Sequence, residues 1–168
     1  MSDSYIEILV KKQPKTWYSF VKGLFLFATI FVFVVLGLMQ VNIIFIVLGA
    51  LLGVASYFVY QELDLEFEYL FVNGDLSVDK IMGKSTRKNC VELSLEQIEI
   101  VAPVKSWHLG DYSNQKTVTA DYSSGNENAN VYAAYYKGNK GMTKMLFEPD
   151  DKMLNAMHQM APRKVFFE

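Results

Sequence analysis

The chain has 168 residues, with 16 Lys and Arg against 18 Asp and Glu, for a formal net charge of −2. That balance argues against a nucleic-acid partner, because nucleic-acid-binding domains usually carry a basic footprint. Half of the residues are hydrophobic, and no charged side chain occurs from Leu24 to Phe58. Such a run is too long for the core helix of a soluble domain.

The first element has two readings. "YIEILV", residues 5–10, fits either a strand at a sheet edge or a short interfacial helix ahead of Pro14. Inside the apolar block the one clear polar break is "GLMQVN", residues 37–42, at Gln40 and Asn42. About 20 apolar residues cross the hydrocarbon layer at ~1.5 Å each, so the block predicts two helices. Helix one is expected over Trp17 to Met39 and helix two over Val41 to Tyr60, joined by a tight turn. In lipid both must be helical, because an unpaired backbone group is costly there. A cleavable signal peptide is disfavoured, since no small-residue cleavage site follows Leu38.

Flanking charge sets the expected orientation. Lys11, Lys12, Lys15 and Lys22 lie before or just inside helix one, and the turn at residues 39–42 carries no charge. The positive-inside rule then places both termini in the cytoplasm. Trp17 and Tyr18 at the start and Tyr57 and Tyr60 at the end fit aromatic anchors at one interface. "GALLG" puts Gly49 and Gly53 one turn apart, where another backbone can approach closely. That partner is either helix one of the same hairpin, through Ala28 and Gly37, or a second copy in a homo-oligomer. A single cysteine, Cys90, fits a reducing compartment.

Beyond the block the period changes to two. "ELDLEFEYLFV" alternates Leu63, Leu65, Phe67 and Tyr69 with Glu62, Asp64, Glu66 and Glu68, a half-buried strand with a solvated acidic face. Asn73-Gly74 predicts a type I′ hairpin, because both central residues need positive φ. Pairing across it sets Tyr69 against Val78 and Phe71 against Leu76, with Glu68 near Asp79. Further strands are expected at Asn89–Leu93, Gln97–Val101, "KTVTADY", Val131–Tyr136 and Met142–Phe147, the last two around "KGNKG". Pro149, Asp150 and Asp151 mark a helix start. Met153, Leu154, Met157 and Met160 form its apolar stripe, and Pro162 closes it.

Seven short strands and a final amphipathic helix follow the order of a pleckstrin-homology-like barrel with its C-terminal cap. "EYLFVNGDLSVDKIMGK", "IEIVAP", "LFEPDDKML" and "APRKVF" also resemble a family of short two-helix bacterial membrane proteins defined by a domain of unknown function. More loosely, the chain is similar to bacterial membrane-tethered pleckstrin-homology-like domains. These resemblances imply the fold and bring no active site with them.

The candidate ligand site is the basic second turn, with Lys80, Lys84, Arg87 and Lys88 as candidate lipid contacts. Each cation near an anionic leaflet is worth about 1 kcal/mol, enough for four to orient a domain. A solvated turn is the plainer reading, as residues 61–168 hold more acids than bases. "GKST" at 83–86 lacks the earlier glycine and the helix that a phosphate-binding loop needs. Catalytic machinery is not expected: His108 and His158 are the only histidines, Cys90 sits mid-strand, and no metal or nucleophile motif occurs. Trp107 and His108 beside Gly110 read as a surface loop that could line a pocket.

The sequence therefore predicts an α+β integral membrane protein of the cell membrane. Residues 1–16 form a cytoplasmic segment, 17–60 a transmembrane helical hairpin, and 61–168 a cytoplasmic antiparallel β barrel or sandwich capped by a helix. Its expected role is noncatalytic: a membrane-anchored binding or scaffold protein without cofactor or metal. It would contact membrane lipids and recruit a protein or peptide, for example at a sheet edge. The alternatives are an anionic-lipid-responsive sensor and an accessory subunit of a membrane enzyme or transporter.

Overall fold

The computed structural model describes residues 5–14, 16–113, 115–138 and 141–168. Lys15 and the Asn139–Lys140 centre of "KGNKG" lie outside the described residues, as do the side chains of Glu62 and Leu63. The chain divides into two compact units that interleave along the sequence. One comprises Met1–Gln13, Glu66–Ile81 and Arg87–Glu168; the other comprises Pro14–Leu65 and Met82–Thr86.

The second unit is built on two helices. α1 (Thr16–Ile30) continues into a π-helical stretch, Phe31–Leu38. There the N–H groups reach five residues back, Met39 to Val34 O and Asn42 to Gly37 O, each at 2.9 Å. α2 (Ile43–Leu63) begins two residues later than the periodicity predicts, because Asn42 caps it: its side chain accepts the Ile44 N–H at 3.1 Å. Trp17–Leu38 and Ile43–Gln61 are long and apolar enough to cross a membrane.

The helices approach most closely through glycine. A Cβ on Gly49 would stand 2.6 Å from Phe33 Cα, and one on Gly37 would meet Ile46 Cγ1 at 2.9 Å. Gly53 is looser, with Thr29 Cγ2 at 3.7 Å. Thr29 Oγ1 and Ser56 Oγ meet across the pair at 3.1 Å, where either hydroxyl can donate to the other in place of the carbonyl one turn back on its own helix, 2.8 Å away in each case. That is the polar contact expected between helices with few other attractive groups.

The first unit holds two four-stranded sheets. One runs β1-β2-β3-β4, from β1 (Tyr5–Lys11), β2 (Leu65–Val72), β3 (Asp75–Met82) and β4 (Thr86–Ser94). The other runs β5-β7-β8-β6, from β5 (Ile98–Pro103), β6 (Val118–Asp121), β7 (Tyr132–Gly138) and β8 (Gly141–Phe147). "YIEILV" is thus the edge strand, antiparallel to β2 with Lys11 opposite Glu66. The helical hairpin is an insertion between two neighbouring strands of one sheet.

Two parts of the expected barrel are corrected. The sheets do not close on each other, and β6 pairs parallel with β8, so the second sheet is mixed. Strand periodicity reports which face of a strand is buried and is silent about the direction of its partner. Asn73 and Gly74 have φ of 52° and 97°, the two positive values a type I′ turn requires.

Tyr69, Phe71, Leu76, Val78, Ile98, Val101, Met145 and Phe147 are buried in the core. α4 (Asp151–Met160) covers it with Met153, Leu154 and Met157, whereas Met160, expected on the same stripe, is exposed. Asp150 caps α4, accepting the Met153 N–H at 2.8 Å. Ile100, Ala102, Ala133 and Tyr135 bury a second cluster with Leu109. That residue lies in a 3₁₀ turn, Trp107–Leu109, which leads into the short α3 (Gly110–Ser113). Sidedness of this kind explains why β7 is buried at five consecutive positions.

Candidate functional site

The basic turn does not form one cage. Arg87 is spent on Glu68, reaching it with both terminal nitrogens at 2.9 and 3.0 Å. Lys80 lies beside Cys90, and Lys88 is exposed on β4. Lys84 belongs to the helical unit, at the turn between β3 and β4.

The acidic face of β2 is also different from expectation. β1 lies along it, placing Leu9 opposite Glu68 and Lys11 opposite Glu66. Glu68 is consequently buried. Burial raises its carboxyl above the ordinary range, Arg87 pulls it back down, and Glu7 and Asp79 push it up again. Asp79 avoids a bare like-charge pair with Glu68 because the Asn89 amide donates to it at 2.8 Å. These acids are structural partners rather than a freely solvated face.

A second polar network holds the other end of the unit. Tyr69 donates to Tyr122 O at 2.6 Å from a buried position, and burial raises its phenol strongly. Ser124 gives its N–H and its hydroxyl to Glu148 Oε1, both at 2.7 Å. Asp121 accepts the Ser123 hydroxyl at 2.6 Å and the Lys12 amine at 3.2 Å. Burial raises the Asp121 carboxyl, but the two Ser123 hydrogen bonds and Lys12 outweigh it and hold the group below the usual range. Nothing in the strand periodicity signals this network, which joins residues more than 100 positions apart.

The residues with catalytic potential are occupied structurally. His108 stacks between Trp107 and Phe166, with ring centres 3.7 and 3.9 Å away. His158 Nδ1 lies 2.8 Å from Val165 O. Burial pushes the Cys90 thiol up, opposing thiolate formation, although Lys80 and Lys88 act in the other direction. Among the described residues no cluster of His, Cys, Asp and Glu is placed to hold a metal.

A groove lies where the two sheets part. β4 is the second edge strand of its sheet, opposite β1. Next to it opens this groove, of about 430 Å³, lined by Val91 and Leu93 of β4, Val118 of β6, Tyr136 and Gly138 of β7 and Thr143 of β8. At the other sheet's edge, β5 is partly covered: the Val101 N–H bonds Lys164 O at 2.7 Å, and Phe166 N–H bonds Val101 O at 2.8 Å. A larger cleft of about 730 Å³ runs past Pro103, Ser106, Asn126 and Phe167.

Two sheets with a C-terminal helix packed into their core make this a pleckstrin-homology-like protein. The chain matches the family model described as a bacterial PH-like domain (DUF6106) over residues 2–167, and it belongs to that family. Comparisons with curated proteins and with solved structures gave no match.

Proposed function

We propose that the protein is a noncatalytic binding module, anchored in the cell membrane by its helical hairpin, that takes an extended segment of a protein partner along β4. The observation that carries this reading is the pairing of an outer strand with an open groove. An outer strand presents unpaired backbone donors and acceptors, and an added strand satisfies them while pockets read its alternate side chains. Arg87 and Lys88 occupy the first half of β4, where charge discourages indiscriminate pairing. Val91 and Leu93 occupy the second half, beside the groove. Docking is therefore assigned to residues 91–94.

Anchoring rests on the two apolar helices together with their place in the chain. Because β1 and β2 are neighbours, with Lys11 opposite Glu66, both ends of the inserted hairpin return to one place. A bilayer crossed once by this insertion must be crossed twice. The lysines before α1 favour the cytoplasmic side for both termini.

The test is a photocrosslinking residue in place of Val118 in the full chain, irradiated in native membranes. The expected product is an adduct with one protein, reduced several-fold by Val91→Asp while the membrane-bound fraction is unchanged. A missing protein adduct, or one indifferent to Val91→Asp, would sink the reading. An adduct with a membrane enzyme or transporter would make the module its accessory subunit.

A further inference from the structure

We infer that the Met82–Thr86 turn is a contact with the anionic surface of the bilayer, with Lys84 as its cation. The inference rests on the membrane-spanning reading of the two helices and concerns a surface separate from the β4 groove. Ile43–Gln61 is a 19-residue span; at ~1.5 Å per residue it is about as long as the hydrocarbon layer is thick. Gln61 therefore marks the level at which the chain leaves the apolar region.

The turn is fastened at that level. Gly83 donates its N–H to Asp64 O at 2.9 Å. A Cβ on Gly83 would stand 2.8 Å from Gln61 Cγ, so glycine is what allows the turn to lie against the end of α2. The Gln61 amide in turn donates to the Tyr57 hydroxyl at 2.7 Å. Tyr60 donates to Lys22 O at 2.9 Å, and the Lys22 amine lies over the Tyr60 ring, 5.8 Å from its centre. Tyrosine hydroxyls and a lysine amine gathered at one end of a helix pair are the groups that settle at a headgroup boundary.

Lys84 is exposed, as are Ser85 and Thr86 after it, and is the one cation of this turn. Gly83 and Lys84 have φ of 55° and 58°, and the Ser85 N–H closes the turn on Met82 O at 3.3 Å. The second value is one that a lysine backbone adopts only at a cost. Among the described residues no carboxylate is ion-paired with Lys84. An exposed amine one residue from the contact with Gln61 faces the phosphate layer wherever α2 crosses a bilayer, and an anionic leaflet adds a favourable charge interaction.

The test uses the full chain with Cys90→Ser and one introduced cysteine carrying a fluorophore, at Ser85 or, separately, at Leu51 in the span. The protein is reconstituted in vesicles of phosphatidylcholine alone or mixed with phosphatidylglycerol. Nitroxide lipids labelled at the headgroup or in the tail serve as quenchers. The inference expects tail quenching at position 51 and headgroup quenching at position 85. It also expects stronger quenching at 85 with phosphatidylglycerol, an increment that Lys84→Gln removes. Quenching at 51 without quenching at 85 overturns the inference and leaves the span intact, as does an increment that survives Lys84→Gln. An unquenched label at 51 overturns the span and the inference together.

Discussion

Arg87 holds Glu68 with two parallel contacts of 2.9 and 3.0 Å, joining β4 to β2 across β3. The pair is lopsided: the carboxylate side chain is 9% exposed and the guanidinium side chain 60%. Removing the exposed partner strands a buried charge, whereas removing the buried one leaves a cation in water. Arg87→Ala should therefore cost about 1–2 kcal/mol at neutral pH, a value reduced by the solvent around Arg87. Glu68→Gln should cost less than 1 kcal/mol. Denaturant unfolding of the full chain in detergent decides the order; equal costs would remove the asymmetry.

The same carboxyl has a pH signature. Its folded-state value is raised above the ordinary 4.5, mainly by burial. Between 4.5 and the raised value the folded chain binds more protons than the unfolded chain. The Glu68 contribution is then full below 4.5 and is lost as pH rises through the folded value. Glu68→Gln should flatten that falling limb in a stability-versus-pH series, and an unchanged slope would assign the limb to other groups.

Much of the fold is legible in the sequence because alternation and turn chemistry are local. The strands at Leu65–Val72, "KTVTADY" and Val131–Tyr136 are readable from period two, and Asn73-Gly74 from its need for positive φ. The expected strand start at Glu62 and helix end at Tyr60 are corrected: α2 runs on through Leu63, because alternation over so few residues does not outweigh the hydrogen bonds that continue a helix already formed. Glu66 and Glu68 misled for a physical reason: alternation says that they share a face, while only the partner strand decides whether water reaches it. β1 lies on the far side of the hairpin insertion, so its pairing with β2 is a long-range fact. The failure of the two sheets to close into a barrel and the parallel β6–β8 pair are of the same kind. At the candidate site, four basic residues within nine positions looked like one cluster, yet Arg87 is already committed to Glu68.

Gly49 and Gly53 should respond differently to the same change. A methyl group at Gly49 meets the Phe33 backbone at 2.6 Å, whereas one at Gly53 meets only Thr29 Cγ2 at 3.7 Å. Gly49→Ala must push the helices apart and should cost about 1–3 kcal/mol. Gly53→Ala should fall within about 0.5 kcal/mol of the parent. Thermal unfolding in mild detergent compares them, and a Gly53→Ala loss equal to that of Gly49→Ala would place the close contact elsewhere.

Tyr69→Phe removes one oxygen from a fully buried position. The Tyr122 carbonyl loses its donor at 2.6 Å, and the Glu148 N–H loses an acceptor at 3.4 Å. The ring itself, packed edge-on against Phe147 at 5.9 Å, is retained. The expected cost is about 1–2 kcal/mol with no change in the overall fold. A circular dichroism spectrum that matches the parent, together with a lower unfolding midpoint, would meet this expectation. An unchanged midpoint would mean that water satisfies the freed groups.

Asp121 gives a pH response of opposite sign to Glu68. Burial alone would raise its carboxyl, but the Ser123 hydroxyl and N–H and the Lys12 amine bring it below its ordinary 3.8. Its stabilising contribution is present above 3.8 and disappears as pH falls through the lower folded value. Asp121→Asn keeps an acceptor for Ser123 and discards the charge opposite Lys12. With the carboxylate side chain 46% exposed, the loss at neutral pH should be small, about 0.5 kcal/mol. It should shrink towards zero in strong acid, where the parent carboxylate is also protonated. Lys12 lies immediately before Gln13, whose N–H bonds Ser124 O at 2.8 Å, so this ion pair helps to fix the point at which the chain leaves β1 for the helical insertion. Faster amide exchange at Gln13 in Asp121→Asn would show that role. Unchanged exchange alongside the stability loss would confine Asp121 to its own loop.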